Sequence, residues 1–253
     1  DGALGTGRIS ASGRIDLAGF RPNRFGILID IAGVQYPLTE TLTPTFSGQV
    51  VLTGTPEAQS LRGELTVDRA WYTTRIDIQD WLLDLRKRTD AHQVAAVPVL
   101  TRALSLNIHF VGRDDIGIKN NIADVALEVD VFLRGTVEAP YLKGRIETRD
   151  GKIEFRNNSF ELQTTTVDFD DPSRFHPRID LHATTRVQAY DITLHLAGTI
   201  EKFALDLTSD PSLSETDILA LLTVGRTTEQ VGQSQSSIGR DEAVSIAMQQ
   251  LLE

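Results

Sequence analysis

Two stretches of the chain carry the same phrase, and this repeat constrains the fold more than any other feature. The copies are LTGTPEAQSLRGELTV at 52–67 and LRGTVEAPYLKGRIET at 133–148, and the head of the phrase returns as LAGT at 196–199. Repetition of a strand–turn–strand unit indicates a β architecture that grows in one dimension rather than a closed enzyme domain. The copies are unevenly spaced, which suits an elongated sheet built from hairpins of unequal length.

A strict alternation of apolar and polar residues supports the same fold class. In ADVALEVDVFL at 123–133 every odd position is aliphatic, and the even positions include Asp124, Glu128 and Asp130. Because side chains alternate across a strand, one face of this strand is apolar and the other is largely acidic. The sequence therefore predicts an all-β chain. The same alternation recurs at 25–31, 104–110, 192–196 and 203–207.

Turn signals separate the alternating runs. Asn120-Asn121 tolerates a left-handed backbone, and Asp170-Asp171-Pro172 ends a strand. Asp150-Gly151 predicts a tight hairpin turn between GRIETR and KIEFRN. With ordinary strands of about 5–6 residues plus turns, the chain has room for roughly fifteen strands.

Two stretches depart from the alternation and define the expected domain organisation. Residues 77–103 contain a charged run and a proline, and they predict an irregular excursion from the sheet. Residues 211–253 predict a helical end element, which leaves 1–210 as the sheet domain.

Within the end element, the sequence predicts one or two short helices. Ser214 begins a capping pattern ahead of a helix at about 215–224, which Gly225 closes. A flexible linker at 226–239 leads to a second helix at roughly 240–252. Because the first helix has a broad apolar face, we expect that face to pack on the open apolar end of the sheet as a cap.

Composition excludes several classes of function. The chain has no cysteine, which rules out thiolate catalysis and thiolate-rich zinc sites. Its formal net charge of -10 argues against a nucleic-acid partner, because binding to phosphates depends on Lys and Arg. No segment approaches the ~20 apolar residues that a transmembrane helix needs. The 253 residues begin without Met, and we expect them to be part of a longer protein.

No arrangement of residues predicts an enzyme or a cofactor. Serine never stands in Gly-x-Ser-x-Gly, and the acid pairs Asp114-Asp115 and Asp170-Asp171 fall in turns, where carboxylates cap backbone N–H groups. His182 and His195 could approach each other on neighbouring strands. Isolated histidines on strands usually face solvent, however, so we predict neither a catalytic nor a metal site.

The aliphatic face allows two interpretations. It can be the core of a closed sandwich, in which two apolar faces pack on each other, and the alternation alone favours this. It can also be the concave side of an open, strongly curved sheet that holds a lipid. The scarcity of aromatic residues and the succession of hairpins favour the open sheet. The residues expected to line such a lipid groove are Leu106, Ile108, Phe110, Val125, Leu127, Val129, Val131, Ile153, Phe155, Phe169, Leu181, Leu194 and Leu196.

The C-terminal third resembles a known family. FALDLTSD at 203–210 runs into PSLSETDILALLTVG at 211–225, and this run resembles the signature of the TamB C-terminal domain family. The resemblance extends from about residue 20 to 225, because further motifs follow in the family's order. These motifs are LRGTVEAPYLKG at 133–144, GKIEF at 151–155, VDFDD at 167–171 and IDLHATT at 179–185.

The resemblance implies a function in the bacterial envelope. Proteins of this family are anchored in the inner membrane and extend through the periplasm as an elongated, taco-like β-sheet lined with aliphatic side chains. They are implicated in moving phospholipid to the outer membrane and, with a TamA-like outer-membrane partner, in assembling outer-membrane proteins. No catalytic residues come with the family. We therefore expect a periplasmic phospholipid conduit with an apolar concave groove.

Two alternatives remain open at this point. The chain can be a periplasmic interaction module that assists outer-membrane protein assembly by offering sheet edges to unfolded strands. It can also be a closed β-sandwich adhesin, which would leave no room for a ligand.

Overall fold

The computed structural model describes residues 2–4, 7–76, 104–171, 177–199 and 202–227, which form one large sheet followed by one helix. This confirms the prediction of an all-β chain with a C-terminal helix. The excursion at 77–103 and the second helix at 240–252 lie outside the described residues.

The strands are β1 Gly2–Leu4, β2 Gly7–Ala18, β3 Arg21–Gln35, β4 Thr45–Gly54, β5 Gln59–Tyr72, β6 Leu104–Gly112, β7 Ile116–Lys119, β8 Ala123–Thr136, β9 Pro140–Phe155, β10 Asn158–Phe169, β11 Arg178–Val187, β12 Tyr190–Thr199 and β13 Phe203–Asp210, and the helix is α1 Glu215–Val224.

The strands follow one another across the sheet almost in sequence order. The order is β1-β2-β3-β4-β5-β6-β8-β9-β10-β11-β12-β13, and β7 pairs with both β5 and β8 beyond the end of β6. Every pair is antiparallel except β5 with β6 and β5 with β7, which are parallel. The sheet therefore grows mainly by hairpins, as the repeat predicts, with one crossover between β5 and β6 that sequence analysis did not anticipate.

The repeated phrase forms the same hairpin turn three times, at β4–β5, β8–β9 and β12–β13. In each copy the Thr backbone N–H donates to a carbonyl across the turn, and the Thr hydroxyl oxygen accepts a backbone N–H in return. The sequence repeat is thus a repeated turn geometry. The Thr N–H bonds are Thr55 to Ala58 O at 2.9 Å, Thr136 to Ala139 O at 3.3 Å and Thr199 to Lys202 O at 2.9 Å.

The glycine of the phrase is required by this turn. Gly54, Gly135 and Gly198 have φ values of 149°, 96° and 138°. A Cβ on any of them would lie 2.2 or 2.3 Å from the carbonyl oxygen on the other side of the turn. Because L residues rarely adopt this φ and no side chain fits the space, only glycine closes the hairpin without strain.

The turn predicted at Asp150-Gly151 is wrong. β9 continues through both residues to Phe155, and the chain reverses at Arg156, which has φ 53°. The register of β8 with β9 shifts at this point, since Ala126 pairs with Asp150 but Leu127 pairs with Thr148. The flexible Asp-Gly backbone therefore accommodates a β-bulge within a strand, because pairing with the long β8 holds β9 extended.

The turn predicted at Asn120-Asn121 and the predicted helix are confirmed. Asn120 Oδ1 accepts N–H bonds from Ile122 and Ala123 at 3.0 Å, which closes the β7–β8 hairpin. α1 begins after Ser214, whose hydroxyl accepts the Asp217 N–H at 3.2 Å. It ends at Gly225, which has a left-handed φ of 74°.

The turn analysis predicts the effect of a single methyl group. Gly135→Ala should destabilise the chain by about 1–3 kcal/mol, because the new Cβ clashes with the Ala139 carbonyl at an unfavourable φ. Gly26→Ala is the control, since its nearest atom is 4.0 Å away and its φ is ordinary, and it should stay within about 0.5 kcal/mol of wild type. Urea unfolding measures both, and equal losses for the two variants would contradict the account of the turn.

Candidate functional site

Strand pairing places the aliphatic residues of neighbouring strands side by side on one face of the sheet. Residues directly opposite each other on paired strands share a face, so a row can be followed from strand to strand. We call the side to which these rows belong the apolar face. One such row runs Ile29, Val50, Gly63, Ile108, Leu133 and Leu142.

All thirteen residues expected to line a groove lie on the apolar face. Ile108, Val125 and Val131 are 4 to 7% exposed, and the other ten are partly buried. Whether they bind lipid stays a prediction. The thirteen are Leu106, Ile108, Phe110, Val125, Leu127, Val129, Val131, Ile153, Phe155, Phe169, Leu181, Leu194 and Leu196.

The apolar face contains more residues than the thirteen predicted to line the groove. β3, β4 and β5 contribute further aliphatic residues to the same rows, and Phe46 of β4 meets Phe110 of β6 edge to face at 5.7 Å. The alternation at 25–31 signalled the β3 members, but without the register it could not assign them to the same face as β8. The added members include Ile27, Ile29, Ile31, Val50, Leu52, Leu61 and Leu65.

The opposite face is polar and carries exposed ion pairs. His109 lies between Glu64 and Asp130, with its Nδ1 3.1 Å from one carboxylate and its Nε2 2.8 Å from the other. Arg113 Nε donates to Glu128 at 2.8 Å. Exposed pairs of this kind contribute at most about 1 kcal/mol each to stability, so their main effect is to keep this side of the sheet hydrated. The acidic positions of the β8 alternation thus pair as His109–Asp130, Arg113–Glu128 and Lys119–Asp124.

The acid pair Asp114-Asp115 anchors a turn rather than forming a reactive site. Arg69 Nε and Trp71 Nε1 each donate to Asp115 at 2.5 Å, and these hydrogen bonds lower the pKa of Asp115 below its usual range. Arg149 reaches Asp114 at 2.9 Å. A carboxylate held ionised by two donors is a poor general base, so its role is to fasten the β6–β7 turn to β5.

Two histidines that sequence analysis said could approach each other on neighbouring strands are in contact on the polar face. His182 of β11 and His195 of β12 pair directly, and their rings stack with centroids 4.0 Å apart. Nε2 of each ring lies 3.1 Å from the same oxygen, Oδ1 of Asp180. In the described part of the chain this is the one group of three side chains that could hold a metal ion.

α1 covers the apolar face at the β10–β13 end. Ile218, Leu221 and Leu222 are at most 4% exposed and pack on residues of β10 to β13. Two side chains from the sheet also bond the end of the helix. Asn158 Nδ2 donates to the Leu222 carbonyl at 2.7 Å, and Gln188 Nε2 donates to the Gly225 carbonyl at 2.5 Å. The sheet residues beneath the helix are Phe160, Ala183, Ile192 and Leu207.

These features define a class of β-sheet protein that presents a long apolar surface. The model of the TamB C-terminal domain family matches residues 1–253, and the chain belongs to this family. The family is a translocation and assembly module, and membership supports a TamB-like role in outer-membrane assembly and implies interaction with TamA-like partners. No curated protein gave a significant match. Among the described residues, no helix has the length and apolarity to cross a membrane.

Because α1 packs on the apolar face, truncating one of its buried side chains should lower the free energy of unfolding substantially. Leu221 is 1% exposed, so Leu221→Ala should cost about 2–5 kcal/mol through lost burial and a residual cavity. Val224 of the same helix is 47% exposed, and Val224→Ala should change stability by no more than about 0.5 kcal/mol. Chemical unfolding monitored by circular dichroism compares them. A Leu221→Ala variant as stable as wild type would show that α1 does not seal this end.

Proposed function

We propose that the apolar face shields the acyl chains of phospholipids, and that the chain is a periplasmic segment of a bridge between the inner and outer bacterial membranes. The observation that carries this proposal is the continuity of the face. Aliphatic residues adjoin one another in register from β3 to β13, across both the parallel and the antiparallel pairs. The rows are mainly aliphatic, and the adjacent Thr148 of β9 and Thr165 of β10 interrupt one of them between Leu127 and Leu181.

The pattern of burial supports a curved rather than a flat sheet. Val50, Leu65 and Ile108 are 4 to 8% exposed, although the described residues contain no second layer over this part of the sheet. A flat single layer would leave such residues open to water. Register shifts in five strand pairs, together with the normal twist, bend strands and can turn the apolar face towards itself.

An apolar face can lower the free-energy cost of moving a lipid through water. Exposing an acyl chain costs about 0.8 kcal/mol per methylene, or roughly 13 kcal/mol for a sixteen-carbon tail. A groove of aliphatic side chains removes most of that cost while the charged head group stays in water. Because the lining is mainly aliphatic, successive positions should bind a tail with similar affinity, which keeps the barriers to sliding low.

A second function is supported by the free edge of β13. Phe203–Asp210 pairs with β12 on one side, and no described strand pairs with its other side. Phe203 and Leu205 on this strand are 49% and 45% exposed. An unpaired edge with exposed apolar side chains can accept an extended strand from an outer-membrane protein by β-augmentation.

Site-specific crosslinking separates lipid binding from strand addition. A photoreactive amino acid at Leu127 should form adducts with phospholipid in living cells, because this position lies on the apolar face outside the cluster that packs against α1. The matched control is Glu128, the neighbour of Leu127 on the polar face, where we expect no lipid adduct. Equal lipid adducts at Leu127 and Glu128, none at any position, or protein adducts alone would contradict the conduit.

A buried charge tests whether the face is open to water. Leu127→Asp should block passage of lipid tails yet cost only about 1–2 kcal/mol of stability, because water can reach a carboxylate in an open groove. Ala126→Asp places the same charge one residue away on the polar face and should preserve function. The readouts are the melting temperature of each purified variant and the phospholipid content of the outer membrane in cells that depend on it.

The two variants also discriminate between a groove and a closed core. In a sealed sandwich, Leu127→Asp would leave an unpaired charge in a dry interior and unfold the chain. Global unfolding of Leu127→Asp, with Ala126→Asp still folded, would therefore reject the open groove.

A further inference from the structure

On the polar face, we propose a zinc site formed by Asp180, His182 and His195. This site is independent of lipid binding, since it lies on the opposite side of the sheet from the apolar face. It is argued from strand register, from the distances between the donor atoms and from the chemistry of the donor set.

Strand register brings the three side chains to one point. Asp180 and His182 are two residues apart on β11, so both project from the same face of the strand. His195 on β12 pairs directly with His182 and therefore shares that face. Both elements are long and paired on both sides, so the backbone positions of the three residues are held by the sheet rather than by a loop.

The two distances between histidine and Asp180 donor atoms are close to those of a tetrahedral zinc centre. Nε2 of His182 and Nε2 of His195 are each 3.1 Å from Asp180 Oδ1, and all the donor atoms lie within 4.8 Å of one another. With zinc–ligand bonds of about 2.0–2.1 Å, two ligands of a tetrahedral ion are separated by about 3.3 Å. Because the two rings stack 13° from parallel, both must rotate until their Nε2 lone pairs converge on an ion beside Asp180 Oδ1.

The donor set selects zinc over the common alkaline-earth ions. Two imidazole nitrogens and one carboxylate oxygen suit borderline transition metals, whereas Mg²⁺ and Ca²⁺ require oxygen ligands. The side chains of Asp180, His182 and His195 are 51%, 42% and 38% exposed, so an ion can enter and water can complete its coordination. Asp206 lies opposite His195 on β13 and adds negative charge on the same face.

His109 provides an internal comparison. Its two ring nitrogens bond separate carboxylates, Glu64 through Nδ1 and Asp130 through Nε2, and its ring stacks on Phe132 at 4.0 Å. The two carboxylates approach opposite sides of one imidazole, so their oxygens do not converge with a nitrogen on a common point. A histidine with acidic neighbours is thus not by itself a zinc site, and His109 serves as the control position.

The site would brace the strands that carry α1. Ala183 and Leu194 are the immediate neighbours of His182 and His195, and on the opposite face they belong to the cluster that packs against the helix. A zinc ion would join β11 to β12 directly beneath that contact. Because it binds only the folded arrangement, zinc should raise the melting temperature of the chain.

The test is a zinc titration of the purified, tag-free chain after treatment with a chelator, in competition with a chromophoric zinc indicator. Wild type should bind one equivalent of Zn²⁺ at this site and none of Mg²⁺. The zinc affinity of this site should fall by more than about tenfold in each of the variants His182→Gln, His195→Gln and Asp180→Asn, since even changes to outer-shell residues reduce metal affinity this much. His109→Gln should leave it unchanged. Co²⁺ should give the intense visible bands of tetrahedral coordination in wild type and lose them in the double variant His182→Gln/His195→Gln.

Two results would overturn the proposal. One is a wild-type chain that binds no saturable equivalent of zinc and shows no rise in melting temperature with it. The other is a double variant His182→Gln/His195→Gln that is folded by circular dichroism and keeps the equivalent, since the zinc would then be bound by other residues.

Discussion

The register between neighbouring strands is the constraint on which the rest of the structure depends. In a strand a shift of one residue exchanges the two faces, so a single slip between β6 and β8 would move Leu133 away from its partner Ile108 and onto the other face. The observed pairing instead joins Ile29, Val50, Ile108 and Leu133 into one row across four strand pairs. Everything attributed to the apolar face follows from this alignment, as does the meeting of His182 and His195 on the other side.

Glycines and bulges are what make that register compatible with a long sheet. The repeated Gly-Thr turn closes three hairpins with the same hydrogen bond. Its glycine cannot be replaced in any of them without a clash. Bulges such as the one between Ala126 and Leu127 then restore the alternation where two strands differ in length. Among the described elements, a helix covers the apolar face at the β10–β13 end, and the central cluster of Val50, Leu65 and Ile108 is formed by strands.

Much of this arrangement could be predicted from local sequence signals. The alternation in 123–133 assigned Leu127 and Glu128 to opposite faces, and Ser214 with Gly225 marked both ends of α1, because each signal acts within a few residues. The parallel pairing of β5 with β6 and the continuation of β9 through Asp150-Gly151 could not be predicted, since both depend on partners distant in sequence. Sequence analysis raised the approach of His182 and His195 on neighbouring strands, but it missed Asp180, because the contact of Asp180 with His195 depends on the register of β11 with β12.

The central claim is that the apolar face binds acyl chains in a stoichiometric and reversible way. Native mass spectrometry of the purified chain, after incubation with detergent-free vesicles of bacterial phospholipid, tests this claim most directly. We predict discrete complexes with one or more intact phospholipids, which are depleted when acceptor vesicles are added. If the folded chain carries no lipid at any vesicle concentration, the account is contradicted. Strand addition at β13 would then be the better proposal for its function.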